Sequence, residues 1–260
     1  MKKLSFDYRM TLSYSEPVTD CHFTIKCIPR SDDRQQLLDH TIELEPYTDF
    51  SRGTDSFGNL QLYGSELPPH SSFTFHISGN IGISQILYEE KEDEDRTALY
   101  RHPYGLGRPG PAIKEYFDSL NLGQYENTYE KSVMLMHTLH QDFSYEAGVT
   151  DINTSAEEAF LLKRGVCQDY THIYIALSKL AGIPCRYVSG MISGEGQSHA
   201  WAEVLYHKKW IGLDPTNDRL VAYDHIKLSH GRDARDCMIN RGVMKGGGTQ
   251  TQLISVSVTK

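Results

Sequence analysis

An α+β fold in two parts is what this sequence predicts: a β-sandwich over residues 1–110, then an antiparallel sheet with helices over residues 111–260. Three observations predict it. Short runs in the first hundred residues alternate apolar and polar at period two; residues 101–111 are rich in Pro and Gly; and beyond residue 112 the apolar spacing changes to three and four, then returns to two.

In chain order, Phe23, Ile25 and Cys27 alternate with Thr24 and Lys26. Ile42 and Leu44 alternate with Glu43 and Glu45, and Phe73, Phe75 and Ile77 with Thr74 and His76. Asp55-Ser56-Phe57-Gly58-Asn59 supplies a turn, because Gly and Asn tolerate positive φ. Several short strands at this spacing suggest a sandwich. The acidic run Glu89–Arg96 reads as a solvated loop without ligand spacing. Gly105–Gly110 spells G-x-G-x-x-G, but it follows no strand and contains Pro109, so we read it as linker at the domain boundary.

The 260 residues carry 26 Lys+Arg against 34 Asp+Glu, a formal charge of −8. That balance argues against a nucleic-acid partner. No apolar run approaches the ~18 residues of a membrane helix, and Met1–Arg9 has no apolar core of a signal peptide. The expectation is a cytoplasmic protein without a membrane partner. The five cysteines (21, 27, 167, 185 and 237) form no C-x-x-C pair, so reduced thiols are expected.

Asn127 with Glu130 three places on marks a helix start, followed by Val133, Met136, His137 and His140 on one face. Thr154-Ser155-Ala156-Glu157 has the form of a capping box, with Gly165 as the stop. From Gln168, the residues Tyr170, Ile173, Tyr174, Leu177, Leu180 and Ala181 draw one continuous apolar stripe, ended by Gly182 and Pro184. This is a central helix, and Cys167 stands at its start. There backbone N–H groups lack intrahelical acceptors and the macrodipole is positive, a setting that favours a thiolate and can hold an oxyanion. A lone cysteine beside an apolar helix is more often a small buried hydrophobe, which is how Cys21, Cys27, Cys185 and Cys237 are read.

Partners for Cys167 lie downstream. His199–Tyr206 and Trp210–Asp214 read as two strands of a hairpin. With a two-residue loop at His207-Lys208, Trp201 faces Asp214, and Asp214 lies one diagonal step from His199 on the same sheet face. At ~7–8 Å between Cα atoms a carboxylate can accept the second ring N–H of an imidazole and fix its tautomer. A three-residue loop would put Asp214 on the opposite face.

At these residues the chain resembles the bacterial branch of the transglutaminase-like superfamily of papain-type thiol enzymes. Gly165-Val166-Cys167-Gln168-Asp169-Tyr170 resembles the nucleophile motif and Gly182–Gly190 the strand after it. Ser198-His199-Ala200-Trp201-Ala202-Glu203-Val204 resembles the histidine strand, and Trp210-Ile211-Gly212-Leu213-Asp214-Pro215-Thr216 the aspartate strand. The resemblance implies a papain-like catalytic domain after an N-terminal β domain, with Cys167 as nucleophile, His199 as base and then acid, and Asp214 orienting the imidazole. It also implies attack on an amide carbonyl of a peptide or protein. The sequence shows no dense, ligand-spaced acidic loop like those of calcium-dependent animal members, so calcium dependence is not implied, and no cofactor or metal is expected. The oxyanion hole is expected to include the Cys167 backbone N–H, with Tyr145 as a candidate second donor against the alternative of a packed aromatic ring. Gly190–Gly196 reads as a mobile loop at the cleft rim, Trp201 and Trp210 as core, and the strand after Gly246-Gly247-Gly248 as closing the catalytic sheet's edge.

The resulting functional expectation is thiol-dependent cleavage of a peptide, isopeptide or side-chain amide through a Cys167 thioester. Acyl transfer to an amine and a catalytically silent peptide-binding module are the alternatives. No G-x-S-x-G is present. A zinc deaminase pattern fails because Pro184-Cys185-Arg186-Tyr187 lacks a second cysteine, and a metal site from Cys167, Cys185 and His199 has no short ligand pair to anchor it.

Overall fold

The computed structural model describes residues 1–84, 97–196 and 198–260; the acidic run 89–96 lies outside the described residues. The fold is α+β, with two antiparallel sheets among the described residues. The first is organised by β1 (Lys2–Ile25), in which Leu4, Phe6, Tyr8, Met10, Leu12 and Tyr14 are buried at strict period two. Each apolar side chain so buried contributes ~1.5–3 kcal/mol, so this one strand anchors a core.

The first half of β1 pairs with β5 (His70–Ile83) on one side and β15 (Gln250–Thr259) on the other. Its second half pairs with β4 (Leu60–Glu66) and β14 (Asn240–Gly246). Register shifts between Ser13 and Val18 and between Thr19 and His22 separate the two halves. Such irregularities bend a strand, and β1 thereby serves two sets of neighbours in one curled sheet. The sheet is completed by β2 (Gln35–Glu45) on β5 and β3 (Phe50–Thr54) on β4. With a short strand at Gly194–Gly196 pairing with β15, the β-rich part expected from strand spacing takes the form, among the described residues, of one curled eight-stranded sheet.

The two C-terminal strands correct one expectation. β14 and β15 do not close the catalytic sheet; both join β1. A division at residue 110 therefore leaves three strands of the first sheet, β14, β15 and a short strand at Gly194–Gly196 that pairs with β15, on the far side of the line. The reason is local: Val256 and Val258 are buried with Phe6, Tyr8 and Phe75, an apolar face already formed by the N-terminal strands.

The second sheet has the order β12-β11-β10-β8-β13, from β8 (Cys185–Ile192), β10 (His199–Tyr206), β11 (Lys209–Asp214), β12 (Arg219–Leu220) and β13 (His225–Gly231). Among the described residues it is accompanied by the α-helices α1 (Pro111–Ser119), α2 (Thr128–Asp142), α3 (Ala156–Leu162) and α4 (Cys167–Leu180). α4 packs on β10 and β8 and is flanked by the other three. Residues 169–179 of α4 are all buried, which is why its apolar stripe is nearly continuous. Gly182 ends it at φ +71°.

Asn127 caps α2 as expected, accepting from the Glu130 N–H at 2.9 Å. The box on α3 is shifted by one residue: Ser155 and Glu158 form it, and Lys163 in the left-handed region is the C-cap rather than Gly165. Glu157 instead accepts from the N–H groups of Gly110, Ala112 and Ile113 at the start of α1. The Gly105–Gly107 segment is no free linker, because Leu106 is buried and its N–H donates to Asp233 at 3.0 Å.

Candidate active site

Cys167 opens α4, half-buried, where a short strand changes direction into the helix. That strand, β7 (Arg164–Gly165), runs parallel to β6 (Ser144–Tyr145). Asp169 holds the turn, accepting from the Val166 N–H at 2.8 Å and the Thr150 hydroxyl at 2.7 Å. Burial pushes its carboxyl up. A Cβ on residue 165 would come within 2.4 Å of that carboxylate, so the motif needs Gly there.

The hairpin takes the expected two-residue loop: His207 and Lys208 both have positive φ, and pairing runs from Tyr206↔Lys209 to Ala202↔Leu213. Along β10, Ala200, Ala202 and Val204 belong to the cluster around α4, while His199, Trp201 and Glu203 take the alternate positions. His199 Nε2 meets Asp214 Oδ2 at 2.8 Å. The same ring hydrogen-bonds the Cys167 side chain. Burial alone would lower this imidazole's pKa, but the bonds to Asp214 and Cys167 outweigh it and raise it to about 10. Sulfur, imidazole and carboxylate are therefore brought together.

Asp214 is fully buried and more heavily bonded than the sequence suggested. Asn217 donates its side-chain N–H at 2.7 Å and its backbone N–H at 3.2 Å, and His225 Nε2 lies 3.2 Å from the same Oδ2. Burial opposes ionisation, yet bonds from His199, His225 and Asn217 hold the carboxyl far below the usual carboxylate range. Beyond His225 stands Asp224, at 2.9 Å from Nδ1. Neither His225 nor Asn217 was read from the sequence. Asn217 carried a weak signal, three residues past an Asp in a turn; His225 carried none, since it arrives through β13, which pairs with β8.

Trp201 is 0% exposed and Trp210 2%, both core as expected. Tyr145 is 61% exposed on β6, and its hydroxyl is close enough to feel the Cys167 charge. The Gly190–Gly196 segment is not a loop: Gly190 to Ile192 finish β8, and β9 (Gly194–Gly196) pairs with β15. Gly190 sits opposite His199, where a Cβ would meet Ile226 O at 2.2 Å and Trp201 Cη2 at 2.3 Å. Gly190→Ala should therefore cost about 1–3 kcal/mol by overpacking and slow Cys167 alkylation by displacing the indole beside His199. A melting temperature equal to wild type would contradict this packing.

His199 Nε2, His225 Nε2 and Asp214 Oδ2 lie within 4.8 Å of one another, a spacing that could hold a metal ion. Each of these atoms already takes part in a hydrogen bond. Cys167 and Cys185 do not belong to such a group among the described residues. His137 pairs with Asp218, and His140 Nδ1 approaches Pro215 O at 3.3 Å, so both serve the helix face.

Residues 119–215 match the transglutaminase-like superfamily, and residues 4–81 match the bacterial transglutaminase-like N-terminal region. The chain belongs to the transglutaminase-like superfamily. The transglutaminase-like chain is 28% identical over 286 residues to an uncharacterized protein of Mycobacterium tuberculosis, covering 96% of this chain and 90% of the relative. A Mycobacterium leprae relative is 25% identical over 267 residues, with 95% of each chain covered. A solved structure from Cytophaga hutchinsonii, described as a "putative cysteine protease", superposes with a TM-score of 0.80 at 21% identity, over 99% of this transglutaminase-like chain and 90% of that one. At that identity the likeness shows the fold. No helix among the described residues is long and apolar enough to cross a membrane.

Proposed function

We propose that this protein cleaves a peptide, isopeptide or side-chain amide through a thioester on Cys167. The observation that carries the reading is the His199 ring, bonded on one side to Cys167 and on the other to Asp214 at 2.8 Å. An imidazolium beside the sulfur favours the thiolate. The thiolate attacks the carbonyl carbon; the C–N bond breaks, and His199 gives its proton to the leaving amine. Neutral His199 then takes a proton from water as the water oxygen attacks the thioester, releasing acid and restoring the pair. The Cys167 backbone N–H at the start of α4, and the Tyr145 hydroxyl, near enough to sense charge on Cys167, are the proposed donors to the oxyanion. Five free cysteines support a reducing, cytoplasmic setting.

Iodoacetamide should alkylate Cys167 at pH 6–7 faster than a model thiol of pKa ≈ 8.5. A rate no greater than the model thiol would leave the silent binding module as the better reading. The imidazolium is needed to protonate the leaving amine and is lost as pH rises through about 10, so kcat/KM should fall on that alkaline side. With a glutamine peptide, release of ammonia and acid should exceed incorporation of an added primary amine; the reverse would overturn hydrolysis in favour of acyl transfer.

A further inference from the structure

We propose that the cavity lined by Gln168 and Ser198, next in the chain to Cys167 and His199, binds the side chain flanking the scissile amide and selects an acidic one through Arg235, an inference that rests on the cleavage reading above. The cavity, about 250 Å³, is bounded on one side by Gln168 and Ser198, the chain neighbours of Cys167 and His199, and on the other by Tyr8, Met10 and Ile254 of the first sheet. A side chain entering it from a carbonyl on Cys167 would meet an apolar wall supplied by β1 and β15. That gives the N-terminal domain a part in substrate choice.

Arg235 is the only charged side chain lining the cavity among the described residues. It is exposed, and its backbone N–H donates to Asp233 Oδ1 at 2.9 Å, while its guanidinium has no carboxylate partner among the described residues. The nearby acids are otherwise engaged. Asp236 holds Arg232 at 2.8 and 3.0 Å, and Asp233 Oδ2 accepts from the Leu106 N–H. The guanidinium's field reaches inward to His172 on α4, where burial first and this cation second push the imidazole down to about 3. In a chain of net charge −8, an unpaired cation at the edge of an otherwise uncharged cavity points to an anionic group, here a carboxylate, as its counterpart.

The test uses two affinity reagents differing by one charge, N-iodoacetyl-glutamate α-amide and N-iodoacetyl-glutamine α-amide, with Cys167 labelling followed by mass spectrometry at low and high salt. The ratio of the two rates reports on the cavity, whereas the absolute rate reports on the nucleophile, so failure of one is separable from failure of the other. We expect the glutamate reagent to be favoured up to about fivefold at low salt, the range of an exposed ion pair, and less so at high salt. The preference should vanish in Arg235→Gln and reverse in Arg235→Glu; because Arg235 is exposed, neither change disturbs the core. A ratio near one in the wild type, or one unchanged by Arg235→Gln, overturns the proposal.

Discussion

Asp214→Asn should lower kcat/KM by roughly three to four orders of magnitude, as loss of an orienting carboxylate does in triad enzymes, while leaving the fold intact. The carboxylate is the acceptor for His199, His225 and Asn217 together. An amide of the same shape offers one oxygen and one N–H₂ group, so a donor now faces a donor at one or more of these contacts. The cheapest repair moves the His199 proton to Nδ1, the nitrogen left for Cys167, and the ring then presents a proton where the free base is needed. The charge that sustains the imidazolium is lost as well. Alkylation of Cys167 at pH 6–7 should therefore slow toward the model-thiol rate, a readout that requires no substrate. An unchanged rate would remove Asp214 from the mechanism.

A pH consequence accompanies it. Asp214 has a folded pKa below the ordinary 3.8, so its contribution to stability is present above that pH and is lost as pH falls below it. Stability of the variant should accordingly depend less steeply on pH in acid than that of the wild type.

Glu203→Gln should destabilise the protein by about 3–5 kcal/mol, the usual result of removing one member of a buried ion pair. Glu203 Oε2 receives Arg186 Nε at 2.8 Å, Arg186 Nη2 at 2.7 Å and Lys227 Nζ at 2.9 Å. Arg186 is 0% exposed, its guanidinium 3.8 Å from the Trp210 ring centroid. Without that carboxylate, Arg186 and Lys227 each lose a buried anionic partner at a point where β8, β10 and β13 meet. These are the strands that deliver His199 and His225, so the melt should fall and Cys167 labelling should slow with it. A melting temperature within a degree or two of wild type would show that water or rearrangement compensates.

The site was legible wherever its residues are joined by local geometry. Cys167 follows from a helix start, and the pairing of His199 with Asp214 follows from one two-residue turn, so period and register placed all three. Whatever reaches the site through distant pairing was invisible: His225 lies on β13 beside β8, and Asp224 behind it has meaning only once that pairing exists. The first sheet failed in the same way. Its strands were read from alternation, but which strands neighbour β1 depends on a bend near residues 13–18 and on partners more than two hundred residues away. Gly190–Gly196 was misread because glycine signals a loop in isolation, whereas here the absent Cβ makes room for an indole.

The pairing of residues 5–14 with residues 250–259 has a consequence during synthesis. Until the latter stretch emerges from the ribosome, the edge of residues 5–14 that faces away from β5 carries a row of bare amide and carbonyl groups, a template for self-association. Contacts so far apart in the chain also form late and slowly. Assembly of the apolar wall formed by Tyr8, Met10 and Ile254 therefore awaits residues 250–259, and a nascent chain stalled short of them is the species expected to need a chaperone.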